Sequence, residues 1–421
     1  MWTRRHAAVR SAPKILRERK AAQIVDEIAG AAERWSDAAF PPRVRATRAA
    51  MERLAYTEPV VDYALDRLFG AITRDALRAT IEGELGSLDA LDDFVPRKGR
   101  PDVRYAGLDL VTIISSDTTI GVAIPPLVFA ACAKSKVIVK DRNDRLVAAF
   151  VETLIAQRQE FGEAIAVETW NGHADPRAVA HLSRSDAVVA FGGPEALRAI
   201  RAHCKPDARF IPFGHRASVG YIGRESLANE ERARETATGA ARDALLYDGE
   251  GCLSLHALFV ERDGAVEAES FAALLSVAFD AVANEFPGDF GARAPAVAAY
   301  REAAHFRASQ GRGKVGGGVV TPHLVVVDPP RDELPPLLPR TLAVYTVEKP
   351  ADAAAFLRHH ALPLEGFAIA PGARPAVVAL GVEAGAVRIA RLGTLQAPVL
   401  TGEHGGVGRI LPFVRAISRE G

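Results

Sequence analysis

Apolar positions recur at mixed three- and four-residue spacing through Ala21–Trp35 and Val44–Phe69, which is the spacing of one helical face. Pro59 reads as a break in the second stretch. Residues 1–95, rich in Ala, Arg, Glu and Leu, therefore predict a helical region packed on whatever follows. Asp92–Asp102, carrying Pro96, Gly99 and Pro101, reads as a connection. From there the period changes. Leu110–Ile114 is a continuous β-branched run, as a strand buried on both faces should be, and Val137–Val139, Ile165–Val167 and Ala187–Ala190 share its texture. Helical stretches at Pro126–Ala133, Leu146–Phe161, Pro176–Leu182 and Pro194–His203 separate them. Such alternation predicts an α/β fold with a parallel sheet wound by helices.

A polar helix over Arg224–Leu246 leads into a glycine-flanked turn, Tyr247–Cys252. Ala257–Glu261 restarts a strand and Ala265–Phe286 a long helix. A second alternating run passes through Leu324–Val327, Thr341–Val347, Ala351–His359, Phe367–Ala370, Ala376–Leu380 and Val387–Ala390. The expected organisation is a helical region over 1–95, an α/β domain over 96–223, a second over 224–395 and a tail over 396–421.

Composition narrows the function classes. Hydrophobic residues form 48% of the chain, and 52 Lys plus Arg cancel 52 Asp plus Glu, which excludes a disordered chain. The same balance argues against a nucleic-acid partner, because no basic excess exists to neutralise phosphates. The longest uncharged run, Thr118–Ala133, is too short for a membrane span. Three cysteines without a CxxC pair predict a reducing compartment and no zinc site or disulfide framework. Arg4, Arg5, Arg10, Lys14 and Arg17 faintly resemble a transit peptide but read as the basic start of a surface helix. With no secretory apolar segment, the expectation is a cytoplasmic protein.

Several familiar chemistries are missing. Gly311–Gly318 lacks Walker spacing and reads as a surface loop. No GxGxxG fingerprint opens the first α/β unit and no GxSxG elbow surrounds Ser218; no HExxH occurs and His359-His360 has the wrong spacing for a helical metal site, so metal catalysis has little support. Cys252 remains. A thiol flanked by Gly249, Gly251 and Ser254, at the edge between two α/β domains, suits a nucleophile that forms and breaks thioesters. Small cysteines are also common core residues, and the residues alone leave both readings open. Cys132 reads as core and Cys204 as a bystander.

The stretch Asp243–His256 (DALLYDGEGCLSLH) strongly resembles the nucleophile segment of the acyl-CoA reductases, LuxC-type fatty-acid reductases within the aldehyde dehydrogenase superfamily. Further likeness follows in order. Gly121–Leu127 with Val137–Lys140 resembles the first nucleotide-binding helix and its strand, Val188–Glu195 the turn beneath the nicotinamide, Phe213–Ser218 the segment before the nucleophile, and Leu392–Pro398 the closing motif. The succession covers about residues 105–415 and identifies the chain as resembling that family rather than any one motif doing so.

The resemblance implies an aldehyde-dehydrogenase-like fold and a reduction of acyl-CoA or carrier-bound acyl thioester to aldehyde. Cys252 would be acylated and a reduced nicotinamide would deliver hydride. Aldehyde-oxidising members carry a glutamate base aligned with Pro212–His215, where this chain has none, so hydrolysis of the acyl-enzyme should be slow. Lys140 matches the lysine that contacts the adenosine ribose. Asn143 stands where NAD-preferring relatives place a glutamate, and with Arg142 it leans the cofactor toward NADPH, with NADH possible. Gly192 and Gly193 match the turn that lets the backbone approach the cofactor. Thr118, beside Asp117, aligns with the asparagine whose amide holds the oxyanion, a departure from the family. An acidic segment of typical aldehyde dehydrogenases is replaced by Pro339–Val344, as in the reductase branch. His215 is a candidate acid or orienting group for the thioester, and His256 reads as structural. Family habit implies a homo-oligomer, with the tail as a contact. Two other readings stay open: a cysteine acyltransferase without redox, and a non-catalytic subunit of a fatty-acid reductase assembly.

Overall fold

Valine and isoleucine runs build the first sheet, and their lack of polar alternation tells that both faces are covered. The computed structural model describes residues 15–116, 119–141, 145–316 and 321–420. Within them the chain divides into two compact units. One comprises the residues up to Leu54, Asp62–Gly214 and the stretch from Val399; the other comprises Ala55–Val61 and His215–Pro398. The basic start at 4–14 lies outside the described residues.

In the first unit, β1 (Val95–Arg97) and β2 (Arg100–Gly107) form an antiparallel pair. Five parallel strands follow: β3 (Leu110–Ile114), β4 (Lys136–Lys140), β5 (Ile165–Glu168), β6 (Ala187–Phe191) and β7 (Arg209–Phe213), in the order β5-β4-β3-β6-β7. Thr112 at the sheet's centre faces Ile138 on one side and Val188 on the other. The winding direction reverses between β3 and β6, so the carboxyl ends of those strands flank the crevice where doubly wound sheets bind ligands.

The N-terminal helices cover this sheet through Trp35. Its buried ring stacks on Phe69 at 4.6 Å, meets Phe150 edge-on at 6.2 Å, and its indole N–H donates to Thr153 Oγ1 at 3.1 Å. Buried Arg43 donates to the Trp35 carbonyl at 2.8 Å and pairs with Asp66 at 2.6 Å. The long helical pattern over Val44–Phe69 resolves into two helices, Pro41–Leu54 and Glu58–Ala71. Pro59 starts the second helix rather than kinking one, because a first-turn residue has no N–H bond to lose.

The second unit holds β8 (Ala217–Ile222), β9 (Leu255–Glu261), β10 (Lys314–Gly316), β11 (Leu324–Val327), β12 (Thr341–Val347), β13 (Leu364–Ile369) and β14 (Arg388–Arg391). They form one sheet in the order β10-β11-β12-β9-β8-β13-β14, parallel except at the β10 edge. Two corrections arise. β8 belongs to this sheet, whereas the sequence pattern places residues up to 223 with the first; its wholly buried run pairs with β9 and β13 on either side. Lys314–Gly316, read as loop, is an edge strand, since ladder pairing uses backbone groups and asks little of side chains. The core here is aromatic, with Phe259, Tyr345 and Phe356 rings 4.6–5.6 Å apart.

After the second unit the chain returns as β15 (Val414–Arg419), which pairs antiparallel with β2 from Val414 opposite Gly107 to Arg419 opposite Asp102. Glu84 anchors this return by accepting the backbone N–H groups of Arg409, Ile410 and Leu411 at 2.5–3.0 Å. No helix among the described residues is long and apolar enough to cross a membrane.

Candidate active site

The turn that presents Cys252 departs from helical geometry. The helix Glu230–Leu245 ends against Tyr247 (φ 57°), Asp248 (φ 52°) and Gly249 (φ 73°), three consecutive left-handed residues. Glycine takes that conformation freely; tyrosine and aspartate hold it at roughly 1–2 kcal/mol each and need outside support. Arg340 supplies it, its backbone N–H donating to the Asp248 carbonyl at 2.9 Å and its Nη1 to Asp248 Oδ1 at 2.7 Å. Cys252 then lies exposed just ahead of β9, at the amino-terminal edge of the sheet.

Three polar side chains fix the backbone around that thiol. Ser218, buried at the start of β8, donates its hydroxyl to the Cys252 carbonyl at 2.8 Å and accepts the Gly366 N–H at 2.9 Å. Ser254 Oγ accepts the Gly251 N–H at 3.1 Å and the Gln396 side-chain amide at 2.8 Å. Gln396 also donates to the Asp243 carbonyl at 3.2 Å, and the Asp243 carboxylate accepts the N–H groups of Gly393 and Leu395 at 2.6 and 2.9 Å. The segment Leu392–Pro398 thus ties into the Cys252 turn through hydrogen bonds with both ends satisfied.

The electrostatics set the resting state. Although Cys252 is exposed, the protein atoms packed about its sulfur push its pKa up to about 12. The Glu365 carboxylate adds to that rise, against Arg216 and the backbone N–H groups of Cys252 and Leu253. The group therefore rests as a thiol. Burial holds His256 down to about 4, so it packs as a neutral ring. His215 is exposed. Cys132 is fully buried, and Cys204 is half-buried with its thiol donating to the Ile200 carbonyl.

Burial also lifts Asp243 from 3.8 to about 7, outweighing the three backbone donors and Arg388. A carboxyl raised on folding stabilises fully below its unfolded value, and that contribution disappears as pH climbs through about 7. Urea unfolding of wild type and Asp243→Asn should therefore diverge with pH. Between pH 5 and pH 8 the difference should shift by about 2–3 kcal/mol in favour of Asn. A difference that stays flat across that window would remove the buried charge from the account.

In the first unit three of the residues implied for a dinucleotide stand at the carboxyl ends of β4 and β6, the strands on either side of β3. Lys140 ends β4, half-buried, with Nζ 5.9 Å from the Trp170 ring centre; desolvation lowers its pKa and Asp175 opposes that. Gly192 and Gly193 follow β6, the Gly192 N–H donating to the Phe213 carbonyl at 3.1 Å and Gly193 preceding the helix Pro194–His203. Beneath them Phe191, Phe213 and His404 stack, with centroids 4.8 and 4.2 Å apart in succession. Burial and Arg409 hold His404 at about 3, a permanently neutral ring. Thr118, Arg142 and Asn143 lie outside the described residues. Cys252 and His215 belong to the second unit and Lys140, Gly192 and Gly193 to the first.

Sequence reasoning missed Glu365, Arg340 and the Ser218, Ser254 and Gln396 bonds. The stretches Phe213–Ser218, Asp243–His256, Pro339–Val344 and Leu392–Pro398 hold Ser218, Ser254, Arg340 and Gln396, but their resemblance to the family gives none of these residues a role. Among the described residues no group of three or more His, Cys, Asp and Glu side chains gathers as a metal site would.

A family model described as "Acyl-CoA reductase (LuxC)" matches residues 16–416. Long-chain acyl-protein thioester reductase 2 of Photobacterium leiognathi is 21% identical over 56% of this chain and 50% of its own length. The long-chain acyl-protein thioester reductase of Aliivibrio fischeri is 23% identical over 55% and 48%. The chain spans about half the length of the curated relatives it matches. Among solved structures, 1-pyrroline-5-carboxylate dehydrogenase of Thermus thermophilus superposes with a TM-score of 0.70 at 14% identity, covering 99% of this chain and 85% of that one. The NAD-dependent benzaldehyde dehydrogenase of Corynebacterium glutamicum gives 0.68 at 15%, covering 98% and 90%. An NADP-dependent glyceraldehyde-3-phosphate dehydrogenase of Bacillus halodurans, complexed with NADP, gives 0.67 at 14%, covering 96% and 88%. The fold is that of the aldehyde dehydrogenases.

Proposed function

The chain belongs to the acyl-CoA reductase (LuxC) family, and from that premise we propose that it reduces an acyl thioester to the aldehyde through an acyl-enzyme on Cys252. The observation that carries this reading is the nucleophile turn, where an exposed thiol heads β9 on a backbone clamped by Ser218 and Ser254. Relatives named as long-chain acyl-protein thioester reductases favour a carrier-bound long-chain acyl donor, with acyl-CoA as the alternative.

In this mechanism the Cys252 sulfur bonds to the thioester carbon while the carrier thiolate leaves. One thioester replaces another, so the step is close to balanced and reversible. Two N–H groups, those of Cys252 and Leu253, bear on the sulfur, and Thr118 is assigned as the side-chain donor to the oxyanion. His215 orients the thioester. A nicotinamide cofactor, when bound, supplies the hydride that converts the acyl group to aldehyde.

The residues present fit such a cofactor. Strand order reverses between β3 and β6, and Lys140, a partly desolvated cation suited to a hydroxyl or anionic partner, ends the strand beside them. Lys140, Arg142, Asn143, Gly192 and Gly193 would hold the dinucleotide, with NADPH preferred over NADH because no glutamate stands at 143 to repel a 2′-phosphate. Solved relatives of the fold include an NAD-dependent enzyme and an NADP complex. No carboxylate stands over Pro212–His215, the segment that aligns with the base of the aldehyde-oxidising members.

The test offers acyl-CoA and acyl-carrier protein separately with NADPH or NADH. It follows the absorbance of the reduced cofactor and the mass of the intact chain. Thioester-dependent oxidation with acyl mass on Cys252 is the expected result. Acylation without oxidation would transfer the assignment to an acyltransferase, and no acylation from either donor would leave a non-catalytic subunit.

A further inference from the structure

The family's usual base segment, Pro212–His215, carries no carboxylate, yet the Cys252 thiol rests protonated and has to surrender a proton. Another strand of the Cys252 sheet carries a carboxylate, Glu365. Ser218 at the head of β8 faces Leu255 on β9 and Gly366 on β13, and its hydroxyl links the Gly366 N–H to the Cys252 carbonyl. Glu365 is the residue next to Gly366. It falls inside an irregularity of the β8–β13 ladder, between the Leu364 and Gly366 pairings, where a bulge re-aims a side chain out of the regular alternation.

Glu365 is 9% exposed, among the few buried carboxylates of the chain. Among the described residues, the donor that reaches it is Arg216 Nη1, at 3.4 Å from Oε2, a long contact that commits little of the carboxylate's accepting capacity. Gly366 itself admits no side chain: a Cβ there would stand 2.7 Å from Leu395 Cδ1 and 2.8 Å from Ser218 Oγ, which keeps β13 tight against the nucleophile's clamp. The charges acting on Glu365 are Arg216 and Arg388, and those acting on Cys252 are Glu365 and Arg216. Burial raises the Glu365 pKa above the ordinary carboxylate value, with Arg216 and Arg388 opposing the rise.

We propose that Glu365 is the proton acceptor for Cys252 and returns that proton to the departing thiol. As the Cys252 sulfur bonds to the thioester carbon, its S–H bond breaks and the proton passes to the Glu365 carboxylate. The carbonyl π electrons move to oxygen. When they return, the bond from carbon to the carrier sulfur breaks, and the carrier thiolate takes the proton from the Glu365 carboxyl. No electron or proton is left over, and the carboxylate is regenerated. This assignment rests on the acyl-enzyme reading above.

Glu365→Gln separates base catalysis from mere proximity, because the two reactions of the thiol then move in opposite directions. Alkylation by iodoacetamide needs only the thiolate, and deleting the neighbouring negative charge should speed it several-fold at pH 7.5. Acylation by acyl-CoA needs the proton removed in step with bond formation and should slow by about 10²-fold, the lower end of what general bases supply. Glu365→Asp, keeping the charge, should leave alkylation near wild type and restore part of the acylation. Both rates rising would make Glu365 an electrostatic brake on the thiol. Both falling, or neither changing, would make it a packing residue; each of these results overturns the assignment. A wild-type chain that alkylates but takes no acyl group removes the acyl-enzyme reading first, and the base with it.

Discussion

Arg340→Ala should destabilise the second unit by about 3–5 kcal/mol, the range for stripping one partner from a buried ion pair. Arg340 is fully buried, and every part of it is occupied. Nε donates to the Pro322 carbonyl at 2.7 Å, Nη1 to Asp248 Oδ1 at 2.7 Å, and Nη1 and Nη2 both to the Phe286 carbonyl at 3.3 Å. Its carbonyl accepts the Leu324 N–H at 3.0 Å, joining the turn to β11. Gly288 makes room for the pair, since a Cβ there would stand 2.2 Å from Asp248 Oδ1 and 2.6 Å from Arg340 Nη1. Alanine would strand the Asp248 carboxylate, whose pKa burial already raises and Arg340 alone among its neighbours lowers. It would also free Tyr247 and Asp248 to leave their left-handed geometry.

For a unit of this size each kcal/mol is worth about 2–4 °C, so calorimetry should show a fall on the order of 10 °C. Arg340→Lys keeps the charge but not the fork and should lie between. The double change Arg340→Met with Asp248→Asn should cost less than the two singles added, because it leaves no charge unpaired. A loss below about 1 kcal/mol for Arg340→Ala would mean that the guanidinium only fills space.

The layered architecture was readable because parallel strands covered on both faces need continuous Val and Ile, and few other structures use Leu110–Ile114, Val137–Val139 and Ala187–Ala190 in alternation with helices. Cys252 came forward as a candidate because its turn is local, with Gly249, Gly251 and Cys252 within four residues, and the family resemblance of Asp243–His256 favoured it over a core cysteine. Its supports did not. Ser218 reaches Cys252 across 34 residues and Gln396 reaches Ser254 across 142, and nothing in a one-dimensional pattern states which strands will be neighbours. Glu365 shows this most sharply. In the sequence it interrupts a hydrophobic strand as an isolated acid, and only the β13–β8–β9 order gives it a thiol to serve. The sheet boundary slipped for a related reason, since β8 has the same buried texture as the strands before it and texture does not say to which sheet a strand belongs.

Cys252→Ala should abolish acyl transfer and aldehyde formation while leaving the fold and dinucleotide binding intact. The side chain is exposed, so its loss opens no core cavity, and the clamps from Ser218 and Ser254 act on backbone atoms and on Gly251 rather than on the sulfur. Thermal unfolding should therefore stay within about 0.5 kcal/mol of wild type, as for surface changes. Removing the nucleophile of a covalent mechanism costs on the order of 10⁶ in rate in the comparable hydrolase case, which puts residual reduction below detection. Fluorescence titration of reduced cofactor should give the wild-type affinity, because the dinucleotide candidates Lys140, Gly192 and Gly193 belong to the other unit. Cys252→Ser sharpens the result. Its hydroxyl can form an oxygen ester from a thioester, but the ester is a poorer hydride acceptor and serine a poorer leaving group than thiolate. That variant should trap acyl mass slowly without releasing aldehyde. Aldehyde production by either variant at more than about 1% of the wild-type rate would move the nucleophile elsewhere, because no intermediate bound without a covalent sulfur would account for it.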